Sequence, residues 1–61
     1  MPNLSTKELT AIEESLSGEM LLVKKFTQMA NSCSDQQLKE KLTQIASKHQ
    51  QHFDLLFSNL S

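Results

Sequence analysis

"NSCSDQQ", residues 31–37, is where the fold of this chain is decided. Short polar side chains crowd there, and such side chains bond to nearby backbone in competition with a helix. Ser34 followed three residues later by Gln37 has the form of a capping box, which starts a new helix. The stretch therefore reads as the end of one helix, a short turn and the start of another. Working backwards, Leu9, Ile12, Leu16, Val23, Phe26 and Ala30 recur at alternating steps of three and four, with Glu19 filling the one vacant place. Ser5 and Glu8 form a further capping box before that run. Working forwards, Leu38, Leu42, Ile45, His49, His52 and Leu56 keep the same spacing. The rhythm does not falter at the histidines; only the residue type changes. One domain over residues 1–61 is expected, with helix 1 over about 6–31, a turn over about 32–34 and helix 2 over about 35–60. Helices of roughly 25 residues are each about 37 Å long, and so short a turn folds them back antiparallel. The class is all-α, a helical hairpin.

A chain of 61 residues is small for an independent core, since a domain of this size buries only about 60% of the surface its unfolded form exposes. Cys33 is the single cysteine and cannot form a disulfide within the chain. Met20, Leu21 and Leu22 lie off the helix 1 seam, while Phe53, Leu55, Phe57 and Leu60 widen the apolar face of helix 2. Two helices cannot cover faces that broad, so a homodimer completing a four-helix bundle is expected. Six basic and seven acidic residues balance to −1, without the clustered basic footprint that nucleic acid requires. The longest apolar run, residues 20–23, falls far short of the roughly 20 residues of a membrane span. The start lacks the basic and apolar segments of a signal peptide, so a cytoplasmic location is expected. No Gly-rich phosphate loop and no nucleophile with a base at a recognisable spacing is present. The chain is not expected to be an enzyme.

The polar residues of the seam are the candidate site. With the turn near Cys33, Glu19 comes within about two residues, or ~3 Å along the axis, of the level of His49. Glu13 falls near the level of His52 but beside the seam. Buried unpaired, these groups would cost several kcal/mol each. Three readings stand open: a Glu–His network that fixes register, a metal site on Glu19, His49 and His52, or partly wet histidines. The histidine spacing is not that of zincins, which place their histidines four apart with Glu after the first. Cys33 lies about 24 Å along a helix from His49 and is expected to be dispensable. Gly18 either admits a neighbouring helix beside Glu19 or is merely tolerated. Phe26, Phe53 and Phe57 read as packing, and Met20 and Met29 as gap-fillers.

Residues 9–60 resemble the short members of the coat F family of bacterial spore coat proteins. The most specific parts are Glu-x-Leu-Leu-x-Lys-Lys-aromatic at residues 19–26, Cys-Ser-Asp at 33–35 and Lys-His-Gln-x-His-aromatic at 48–53. The resemblance implies a ferritin-like bundle, sporulating bacteria, a place in the spore coat and other coat proteins as partners. In ferritin-like di-iron proteins each helix pair supplies a Glu and then a Glu-x-x-His. Glu19 matches the first element and His52 the last, but His49 stands where the second Glu belongs. A di-iron centre is therefore not expected, and of zinc and iron a single zinc, or no metal at all, suits the histidine-rich set better. Two functions follow as expectations: a self-associating structural or interaction protein, or a ferritin-like metal-binding protein, whose redox centre would be the one route to chemistry. A hairpin that binds another protein's helix is a third.

Overall fold

Ser5 and Glu8 open the first helix as a reciprocal cap. The Ser5 hydroxyl accepts from the Glu8 amide at 3.1 Å, and the Ser5 amide donates to Glu8 Oε1 at 3.0 Å. That amide, with the hydroxyl second, holds the Glu8 carboxyl below its ordinary value. The computed structural model describes residues 4–60, with α1 at Thr6–Asn31 and α2 at Gln36–Ser58. The reading of the start as leader-free falls partly on residues 1–3, outside the described residues.

α1 stops without a left-handed residue. Ser32 keeps a right-handed φ of −93°, its amide bonds to Gln28 O at 3.1 Å and the Cys33 amide to Ala30 O at 3.2 Å. The second of these tightens the last turn into 3₁₀ geometry, which satisfies carbonyls a glycine cap would otherwise serve. The expected capping box at Ser34 does not form. Asp35 caps α2 instead, its Oδ1 accepting from the Leu38 amide at 2.9 Å. A carboxylate is a stronger acceptor than a hydroxyl and also complements the helix dipole, so the cap moves one residue along. Gln37 is then too early to reach back. α2 closes at Ser58 rather than near 60, because the Asn59 and Leu60 amides bond to Leu56 O and Phe57 O in a final turn.

The two helices pack against each other as a hairpin, and no strand occurs among the described residues. Ala30, Leu42 and Ala46 are its buried core. Ile12, Leu16, Glu19, Val23 and Phe26 on α1 face His49, Phe53 and Leu56 on α2, all half-buried. On α2 this corrects the expected seam. The line 42–49–56 is shared, but its companions are Ala46, Phe53 and Leu60 rather than Leu38, Ile45 and His52, which are exposed. Both series alternate three and four around the same line, so spacing alone does not separate them. The choice follows from size and polarity: Ala46 lets the helices approach, and the flank of Phe53 and Leu60 buries more apolar surface than that of His52.

The result is a rod of 46 × 14 × 10 Å. Its radius of gyration is 14.3 Å, against about 10.5 Å for a compact domain of this length. Its accessible surface is 4761 Å², where a compact monomer of this mass has about 4000 Å². No described helix is long and apolar enough to cross a membrane.

Candidate functional site

Glu19 stands midway along α1, about one turn before the broad apolar stretch ends at Val23, and its side chain is 19% exposed. Opposite it, His49 and His52 sit one turn apart on α2, the first on the line facing α1 and the second on its outer flank. His49 Nδ1 lies 2.6 Å from Glu19 Oε1, and His52 Nδ1 lies 3.4 Å from Glu19 Oε2. Each oxygen of one carboxylate thus has its own imidazole. An ionised carboxylate only accepts, so with Glu19 ionised the tautomer of His49 that carries its proton on Nδ1 donates in this bond. The ligand-type atoms of Glu19, His49 and His52 all fall within 4.8 Å of one another.

The three positions differ in how they are held. His49 is 24% exposed and its ring stacks on Phe26, with centroids 5.9 Å apart and planes 13° from parallel. That ring fixes His49 from the turn-proximal side, a role the sequence reading of Phe26 as simple packing missed. The signal was present: Phe26 is one heptad from Glu19, so both belong to the same line on α1. His52 is 58% exposed and meets His49 edge to face at 5.9 Å. The seam spacing had placed it inward; it lies on the flank and reaches the carboxylate from the solvent side. Glu13 is exposed. No buried side-chain nitrogen or oxygen among the described residues lacks a partner, and within the cluster the hydrogen bond is the one between His49 and Glu19. Chemically it can bridge the helices by hydrogen bonds, or offer one oxygen and two imidazole nitrogens to a cation.

Cys33 is half-buried in the turn, its thiol donating to Asp35 O at 3.5 Å. It takes no part in the cluster. Gly18 neighbours Glu19, but a Cβ there would meet nothing within 4 Å. Close helix approach is not its reason within the hairpin. A second feature lies on the face where Phe53 emerges. Leu16, Met20, Leu21, Phe53 and Phe57 line an open apolar groove of about 510 Å³.

Against known proteins, the chain is 32% identical over 57 residues to an uncharacterized protein of Bacillus subtilis (strain 168), YuzM, a match that spans 93% of this chain and 70% of the relative. This chain belongs to the YuzM family. No family model matches the chain. No solved structure matches it.

Proposed function

We propose that this protein works by self-association, as a structural or interaction element whose working form is a twofold dimer completing a four-helix bundle. The observation that carries this reading is apolar surface left over after the hairpin has closed. Leu21 is 67% exposed, Leu55 66% and Phe57 56%, while Leu38 and Ile45 form a second apolar line on α2 that α1 never covers. The surface in excess of a compact monomer is roughly 800 Å², the area each partner contributes to an interface of standard size. A second hairpin has the right length and the same heptad spacing to cover it. In the spore coat, such a hairpin would associate with its own kind and with other coat proteins. The coat F-like stretches at residues 19–26, 33–35 and 48–53 support that placement.

The test uses two positions that the hairpin leaves in solvent. Leu21→Lys combined with Phe57→Lys keeps the core, both caps and the Glu19 cluster. The variant is expected to shift from dimer to monomer in light scattering and to be less helical than the parent at the same concentration. Unchanged mass would overturn the interface. The coat placement has its own readout: the tagged chain should fractionate with the coat of its sporulating host, and exclusion from that fraction would overturn it.

A further inference from the structure

We propose that Glu19, His49 and His52 form a mononuclear site for zinc or a similar divalent transition ion, with an open coordination position toward solvent. The site is complete within one hairpin and does not rest on self-association. The geometry supports it in three ways. First, bonds of about 2.0–2.1 Å in a tetrahedral zinc site set neighbouring ligand atoms roughly 3.3 Å apart. His52 Nδ1 and Glu19 Oε2 already stand at 3.4 Å, the edge of such a tetrahedron. The closer contact, 2.6 Å between His49 Nδ1 and Glu19 Oε1, is a hydrogen bond that opens when an ion takes the place of its proton. The imidazole proton then moves to Nε2, and the freed Nδ1 lone pair binds the ion.

Second, a network that merely fixes register needs one histidine, and His49 suffices for it. His52 is exposed and could be satisfied by water, yet its Nδ1 lies 3.4 Å from the second oxygen of the same carboxylate. Two imidazole nitrogens converging on one carboxylate make the His₂Glu set that open zinc sites use. Imidazole ligation excludes magnesium and calcium, which take oxygen ligands.

Third, the ligands are graded in mobility. Glu19 and His49 are half-buried on opposing helices, and the Phe26 ring supports His49 from behind. These two form the fixed jaw. His52, on the outer flank, is the ligand that swings to admit or release the ion. Its exposure leaves the remaining coordination position to water. An ion held this way ties α1 to α2 in a molecule whose buried core is otherwise Ala30, Leu42 and Ala46, so binding and folding are coupled.

The experiment is a calorimetric titration of the untagged full chain with zinc chloride, repeated with cobalt(II) as a spectroscopic probe. One ion per chain is expected, with the visible bands of low-symmetry cobalt and a raised melting temperature that acid or a chelator reverses. Glu19→Gln and His52→Ala should each weaken binding at least about tenfold, since even groups that only orient a ligand are worth that much. His52→Ala removes an exposed side chain, so retained helicity is expected and keeps the test valid even where Glu19→Gln perturbs the fold. Cys33→Ser should bind as the parent does. Absence of uptake overturns the proposal. So does an affinity that His52→Ala leaves unchanged, or uptake that disappears with Cys33→Ser. Association measured in excess chelator reports on the dimer independently of these outcomes.

Discussion

Glu19, one carboxylate in an otherwise apolar line, is the residue on which the interior of this hairpin turns. Its contact with His49 joins the two helices at a point where a leucine pair would do so by packing alone. Because the two side chains share one hydrogen bond, their effects should not add. A double-mutant cycle with Glu19→Ala and His49→Ala is expected to show coupling of about 0.5–3 kcal/mol in denaturant unfolding of the metal-free chain. Additive losses would mean the contact contributes nothing. Gly18 beside it makes the opposite kind of prediction. Nothing lies within 4 Å of an added Cβ, so Gly18→Ala should raise stability by about 1 kcal/mol through helix propensity. Loss of stability there would place another chain against that face. Glu8 sets an acid limit. Its folded carboxyl titrates below the ordinary 4.5, so its contribution is present above that value and lost as pH falls through the folded one. The stability advantage over Glu8→Gln should therefore shrink on acidification below about pH 4.5 in thermal melts.

At the scale of the helices, the two ends of the turn test how the chain reverses. Asp35→Ala should cost about 1 kcal/mol by removing the cap of α2, while Ser34→Ala should be close to neutral. The reverse order would return the cap to Ser34. Most of this level was readable in advance, for identifiable reasons. Ser5 and Glu8 announce the start of α1, and the cluster at residues 31–35 announces its end, because each is a local device with its own residue types. The face of α2 was not readable to the same degree. Leu42, His49 and Leu56 belong to either of two seams, and what selects between them is a tertiary matter. The deciding facts are the small volume of Ala46 and the bulk of Phe53 against α1. Placing His52 inward followed from choosing the other seam, and the flank position is what gives it access to both Glu19 and solvent. The stack of Phe26 on His49 was likewise hidden, because spacing fixes a level along the helix and not the tilt of a ring.

For the whole molecule, the central claim is that one hairpin is half of a structure. Its rod shape, its sparse core and the exposed Leu21, Leu38, Ile45, Leu55 and Phe57 are the observations that support the proposed assembly. Sedimentation equilibrium of the untagged chain across a micromolar concentration range, in chelator, tests this most directly. The account predicts a mass of at least two chains of 6.9 kDa, dissociating on dilution with a parallel loss of helicity by circular dichroism. A single species of 6.9 kDa that stays fully helical at every concentration would contradict it.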